Sequence, residues 1–229
     1  LFLINKCQND EGGFILNWHP PKAVACSTGD MIKYLIKSEL QHDAIEKGIK
    51  WIVKHQRHDG GWLHCPIASL CDKCKLIFFH KPGNGLKREE KTIIPSCPFA
   101  TISCAYALSY YIQNNPSPEM SNIIFKAAQF LTTFNDYHKY RSINKDIHLL
   151  SYPLLAQIDI LYLLLFFKKV KNLSQHNHFF NKIISKQNND GTWNLENIQN
   201  GMMINNKKEL HKKNKWVTLN ALKLLQKKE

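Results

Sequence analysis

GIKWIVKHQRHDGGW, residues 48–62, decides how the rest of the chain is read. It runs as a periodic helix end, then Gln56, then an Asp59-Gly60-Gly61 turn, then Trp62. The same order occurs twice more, as LINKCQNDEGGF over residues 3–14 and IISKQNNDGTW over residues 183–193. Internal self-similarity of this kind marks a repeat architecture. Each part of the motif has a physical use. Asp-Gly makes a tight turn in which glycine takes positive φ without strain. The glutamine amide is expected to bond the open N-terminus of a neighbouring helix, and the aromatic to stack back on the turn. The three motifs therefore read as staples between helical hairpins rather than as catalytic groups.

Outward from these corners the pattern is helical. Residues 1–7 read as the end of a helix whose start is absent, because residue 1 is Leu and the N-terminus is taken as truncated. Ser27 or Thr28 is expected to cap a helix running to about residue 40, with Met31, Tyr34, Leu35 and Ile36 on its apolar face. Asp43 is expected to cap the next, with Ile45, Ile49, Ile52 and Val53 apolar. A further pair spans residues 98–134, broken by a turn at 114–118 that Pro118 ends. An apolar helix is expected over 152–170, an amphipathic one over 174–186 and a last one over 216–226. No segment shows strand alternation. Three hairpins result, at 27–56, 98–134 and 152–187. In each, one helix is the more apolar, which suits an inner ring of buried helices and an outer amphipathic ring. The fold class is all-α.

Composition sets the bounds. The chain has 229 residues, 44% of them hydrophobic, which suits a single domain over 1–229. The formal charge is +13, concentrated in stretches such as 168–171 and 207–215. An excess of that size suits an acidic partner. The basic residues are nevertheless scattered and form no nucleic-acid motif, so a solvated basic surface is the favoured reading. The apolar run 149–167 contains Pro153, Gln157 and Asp159, so it reads as a buried helix and not as a transmembrane segment. With no signal peptide visible, the expected location is cytoplasmic, and the seven cysteines are read as thiols or metal ligands rather than disulfides.

QNDEGGF, QRHDGGW and QNNDGTW resemble the Gln-Trp repeats of the terpenoid cyclase and protein prenyltransferase superfamily, which includes the squalene–hopene cyclases. Residues 51–65 and 215–225 also resemble a bacterial and archaeal group of squalene-cyclase-like proteins of unsettled function. The resemblance implies an α/α toroid of helical hairpins, incomplete here, around an apolar cavity for an isoprenoid or other apolar small molecule. It also implies aromatic side chains facing that cavity, for which Tyr106, Tyr110 and Tyr162 are the candidates. The chemistry of the superfamily carries over poorly. Cyclases that begin by protonation use an Asp-x-Asp-Asp acid, and no such run is present. The segment ACSTGD, residues 25–30, falls where the resemblance would put an Asp-Cys-Thr-Ala-Glu type segment, but Cys26 replaces the acid, and Asp30 is the nearest carboxyl group. Protein prenyltransferases hold zinc through Asp, Cys and His. Asp159 sits in an apolar segment as that Asp would, but residue 161 is Leu rather than Cys. Asp30 and Asp159 are therefore weak catalytic candidates. The bland reading of Asp30 is a favourable charge in a helix's first turn, and that of Asp159 is a buried structural carboxylate bonded to backbone or to a tyrosine.

The irregular stretch 63–97 carries the sharpest chemical pattern. Cys65, Cys71 and Cys74 are spaced C-x5-C-x2-C, and Cys97 ends the same loop. Two thiolates two residues apart can reach one ion, and four make a closed tetrahedral site for zinc or, alternatively, an iron–sulfur cluster. His64 could replace one of them. The bland reading is a set of free thiols, which also suits Cys7, Cys26 and Cys104. Two functions stay open: an isoprenoid-transforming enzyme, or a non-catalytic binding or scaffold protein with a metal-stapled loop.

Overall fold

A computed structural model describes residues 2–16, 22–40, 42–64, 96–132, 147–154, 158–171, 177–198 and 207–226 of the chain. They are mostly helical, and they fall into two units, Leu1–Tyr140 and Arg141–Glu229. The first unit holds α1 (Phe2–Cys7), α2 (Ala25–Lys37), α3 (Asp43–Lys54), α4 (Pro98–Tyr111) and α5 (Pro118–Thr132). Between α1 and α2, β1 (Ile15–Leu16) pairs antiparallel with β2 (Lys22–Ala23). Two residues are too few to show as alternation, so this ladder leaves no mark in the residue pattern. The second unit holds α6 (Ile160–Lys169), α7 (Asn177–Ile184), a 3-10 turn at Lys207–Glu209 and α8 (Lys215–Leu225).

The three corners close in one way. Their aromatics are sealed in the core, with Phe14 1% exposed and Trp62 and Trp193 0%. The turn glycines Gly12, Gly60 and Gly191 all have positive φ. Each aromatic N–H donates to a threonine hydroxyl of the next helix: Phe14 to Thr28 at 2.8 Å, Trp62 to Thr101 at 3.1 Å, Trp193 to Thr218 at 3.0 Å. Each aromatic carbonyl accepts the N-cap N–H of that helix, from Val24 at 2.9 Å, Cys97 at 2.7 Å and Asn214 at 2.9 Å. The threonine is always the fourth residue after the cap. One helix start thus satisfies both backbone groups of a buried residue, which could not otherwise stay buried cheaply. The indole N–H groups of Trp62 and Trp193 donate to the carbonyls of Ile52 and Ile183, at 2.7 and 2.8 Å.

The glutamines act differently from expectation. Gln8 Nε2 donates to the carbonyls of Gly12 and Ala44, at 2.9 and 2.8 Å, and Gln56 Nε2 to those of Gly60 and Ile123, both at 2.9 Å. Gln187 Nε2 donates to Gly191 O at 3.2 Å. The amide therefore reaches carbonyls and not the open N–H groups of a helix start. A carbonyl has two lone pairs, so a helical oxygen can take this bond beside its own. Gln8 ties the end of α1 to α3, and Gln56 ties the end of α3 to α5. Glycine permits the approach: a Cβ on Gly12 would meet Lys47 O at 2.2 Å, and one on Gly60 would meet Lys126 O at 2.5 Å.

α2 and α4 pack closely, since a Cβ on Gly29 would lie 2.4 Å from the Ser103 carbonyl carbon. α4 is buried without a break from Pro98 to Ser109, whereas α3 exposes Glu46, Lys47, Lys50 and Lys54 and buries the opposite face. In the second unit α6 packs on α7 and α8 around Leu164, Ile183, Trp193 and Ala221.

Several helix starts differ from the expected ones. α2 begins at Ala25 after Val24, which makes no side-chain cap bond. Thr28 cannot cap it because its hydroxyl is held by Phe14 and by Val24 O at 2.9 Å. His42 caps α3, its Nδ1 accepting from Ala44 N at 3.0 Å, and Asp43 is the first helical residue. The apolar helix starts at Ile160 rather than near 152, with Asp159 as its cap. The amphipathic helix ends at Ile184 rather than at 186, its expected start at 174 lying outside the described residues, and the last helix starts one residue early behind Asn214, whose Oδ1 accepts from Trp216 and Val217.

Gly60→Ala is expected to destabilise the protein by more than about 2 kcal/mol, because left-handed φ adds to a clash with the Lys126 carbonyl. Gly191→Ala, whose Cβ would meet only Gln187 Nε2 at 3.7 Å, is expected to lose about 1 kcal/mol from φ alone. Urea unfolding of the two variants measures the difference.

Candidate functional site

Asp30 lies on α2, six residues into the helix. Its carboxylate accepts a 2.7 Å bond from Lys33 Nζ, one turn on. Lys33 is 7% exposed, unusual for a lysine, and the carboxylate explains how the ammonium tolerates burial. The same Nζ stands 4.6 Å from the Tyr34 ring centre and 5.7 Å from that of Tyr106. Tyr106 stacks on Tyr110 with centroids 6.0 Å apart, and Lys37 Nζ lies 5.7 Å over Tyr110. An alternating strip of ammonium groups and tyrosines thus runs between α2 and α4. Two of the predicted cavity residues, Tyr106 and Tyr110, fall in it together with Asp30. Sequence reasoning does not single out Lys33 and Lys37, although Asp30 and Lys33 at i, i+3 are a legible ion-pair spacing.

At the far end of the strip Tyr110 opens onto a cleft of about 560 Å³. Ile36, Leu40, Ile45 and Tyr110 supply apolar surface, and Glu39, Asp43 and Glu46 supply carboxylates. Tyr111 donates to both Glu46 oxygens, at 2.6 and 2.8 Å. Burial and then this bond push its hydroxyl up to about 12, so it stays protonated and donating at neutral pH. Tyr106 itself is 7% exposed and belongs to the core.

A group of thiols lies where the start of α2 meets the first half of α4. Cys104 Sγ donates to Ala25 O at 3.3 Å. Burial first, then Cys97 and Asp30, push Cys26 up to about 12, and burial holds Cys104 well above its ordinary value. Both are therefore inert thiols at neutral pH. The His64 carbonyl accepts from Ala25 N at 2.9 Å, and burial lowers the His64 imidazole. Cys97 caps α4 without a side-chain bond to it. Cys65, Cys71 and Cys74 lie outside the described residues. Among the described residues no three His, Cys, Asp or Glu side chains form a group that could hold a metal ion.

Asp159 belongs to the second unit. It is 1% exposed but does not sit inside a helix as expected; it starts one. Its carboxylate accepts from Ser151 N at 2.9 Å and from Tyr162 N at 2.8 Å. The Tyr162 contribution is thus a backbone N–H and not its hydroxyl. Burial raises Asp159 to about 6 against the backbone bonds that lower it, and Glu196 adds to the rise. Asp59 is the contrasting case. Burial would raise it too, but bonds from the Ser96 hydroxyl at 2.7 Å and Ser96 N at 3.0 Å hold it below the usual range. It fastens the second corner to the segment before α4.

No protein-family model matches the chain, and neither a curated protein nor a solved structure matches it significantly. Among the described residues no helix is long and apolar enough to cross a membrane.

The raised Asp159 has a definite sign. The folded state holds its proton more tightly than the unfolded chain does. The stability it adds is complete below the unfolded value of 3.8 and is lost as pH rises through about 6. For a shift of that size the loss is roughly 3 kcal/mol. Urea titrations from pH 4 to pH 7 should show Asp159→Asn gaining on the native protein by about that amount. Parallel curves would contradict it.

Proposed function

We propose that the chain is a non-catalytic binding protein of the α/α-toroid kind, similar in architecture to squalene cyclases, that takes up an isoprenoid or other apolar small molecule without transforming it. The observation that carries this reading is that both candidate acids are already engaged. Asp30 is bonded to Lys33, and Asp159 to two backbone N–H groups. An acid that starts a cyclisation must instead aim a proton at an alkene. The repeated corner geometry supports the architecture, because it is what successive helical hairpins of one kind require. The cleft beside Tyr110 supports a small-molecule ligand: its volume suits one, and three aliphatic side chains stand in its walls among polar ones that include His42, Asn114 and Asn115. Its carboxylates Glu39, Asp43 and Glu46 oppose a diphosphate, so the neutral hydrocarbon or alcohol is favoured over the activated form. We assign a cytoplasmic location, which suits the reduced thiols Cys26 and Cys104.

A structural metal site of Cys65, Cys71, Cys74 and Cys97, with His64 as the substitute ligand, belongs to the same proposal. The bond from Cys97 N to Trp62 O supports it, because it ties the two ends of the cysteine-bearing segment together. Zinc or an iron–sulfur cluster would then cross-link that segment through its thiolates.

One preparation tests both parts. Incubated with squalene, geranylgeraniol and farnesyl diphosphate, the protein is expected to retain a neutral isoprenoid, to lose it in Tyr110→Ala, and to form no product. Turnover would restore the enzyme reading, and no binding of any of the three would remove the ligand. Metal analysis is expected to give one equivalent of zinc or one cluster, lost in Cys71→Ser/Cys74→Ser. A metal-free protein would remove that site alone.

A further inference from the structure

α8 has two faces of different character. Val217, Ala221 and Leu224 are buried in the core of the second unit. The other face is centred on Leu219, which is 40% exposed. Three residues away on either side lie Trp216 and Leu222, 43% and 49% exposed. Four residues away on either side lie Lys215 and Lys223, both exposed. At 3.6 residues per turn these five side chains share one stripe. A solvated helix face is polar; this one has a tryptophan and two leucines between two lysines, and α8 has no Asp or Glu anywhere.

The surroundings have the same sign. Residues 141–229 contain fifteen lysines and arginines against six aspartates and glutamates, so nine of the chain's thirteen net positive charges lie in them. Lys208 and Lys212 lead into α8 and are exposed; Lys213 beside them is ion-paired with Asp190 and adds no free charge. Lys168 Nζ donates to the carbonyls of Lys223 and Leu224 at the other end, at 2.6 and 3.0 Å. Tyr152 stacks on Trp216 with ring centres 5.4 Å apart, and Lys215 Nζ stands 5.4 Å over the same indole.

We infer that this face of α8 docks flat on an anionic phospholipid surface, with Trp216, Leu219 and Leu222 entering the headgroup layer and the lysines meeting lipid phosphates. Charge and side-chain type together select this occupant. A second copy would bring an equal excess of positive charge to the same face. A nucleic acid would use the lysines but leave the leucines in water. A bilayer surface takes both at once: an amphipathic helix lies in its plane through aromatic and aliphatic residues while lysines face the anionic heads. Tryptophan and tyrosine are the side chains that favour that boundary. The inference stands on α8 and its basic surroundings and does not depend on a ligand beside Tyr110.

The test is co-sedimentation of the protein with phosphatidylcholine vesicles, with and without about 30% phosphatidylserine. Binding is expected only with phosphatidylserine, and it should weaken steeply with added salt. Lys215→Gln/Lys223→Gln should weaken it by roughly 25-fold, about fivefold for each lysine. Leu219→Ser/Leu222→Ser should abolish it while the circular dichroism spectrum stays helical, since neither position belongs to the buried core. Trp216 fluorescence should shift to the blue on binding. Equal binding to neutral vesicles, no binding at all, or binding indifferent to both double variants would overturn the inference. So would a dimer in sedimentation equilibrium that the leucine variant dissolves, because a second copy would then occupy the face.

Discussion

A buried peptide group must find partners for both its N–H and its carbonyl. At Phe14, Trp62 and Trp193 the partners are not supplied by the residue's own turn. They come from the start of the helix that follows, through a threonine hydroxyl and the N-cap N–H. That constraint couples each corner to a helix whose N-cap lies 10, 35 or 21 residues later. The length of the connection does not matter, because the bonds are made at its two ends. This is how a 34-residue segment after Trp62 can be tolerated where nine residues suffice after Phe14. The three connections differ in length, and the bonds that close the corners are the same.

Much of this is legible in the residues and part is not, for reasons that particular positions make plain. The glycines, the acidic turn residue and the aromatic stand together, so three corners are visible as one motif. The stretches before the corners carry helical periodicity, and helices are found there. Thr28, Thr101 and Thr218 are just as regular, each four residues after a cap, but their partners are far away in sequence and the spacing differs each time. A local reading therefore takes Thr28 for a cap when its hydroxyl is already engaged. Asp159 is hard to place for the opposite reason. Leu154, Leu155, Ala156 and Ile158 before it are apolar like the residues after it, so composition extends the helix backwards, and the carboxylate's bonds to Ser151 and Tyr162 show where the helix starts.

The candidate site follows the same rule. Tyr106 and Tyr110 are one helical turn apart, and their stacking can be read from spacing. The burial of Lys33 cannot, because it depends on α4 closing over α2 at Gly29. Once that packing is made, Asp30 has a local duty to Lys33, just as Asp59 has one to Ser96 and Asp159 to the start of α6. The acidic groups that sequence marks out as reactive are used to hold the chain together. Among the described residues, the cleft at the far end of the strip and the outer face of α8 stay open to a ligand.

Amide hydrogen exchange measures the corner bonds directly. The backbone N–H groups of Phe14, Trp62 and Trp193 should exchange only through unfolding of their unit, as slowly as amides in the middle of α4, although all three lie outside helices. If those three amides exchange as quickly as the exposed turn amides of Glu11, His58 and Asn189, the threonine bonds do not hold the corners, and the coupling of each corner to the helix that follows it is wrong.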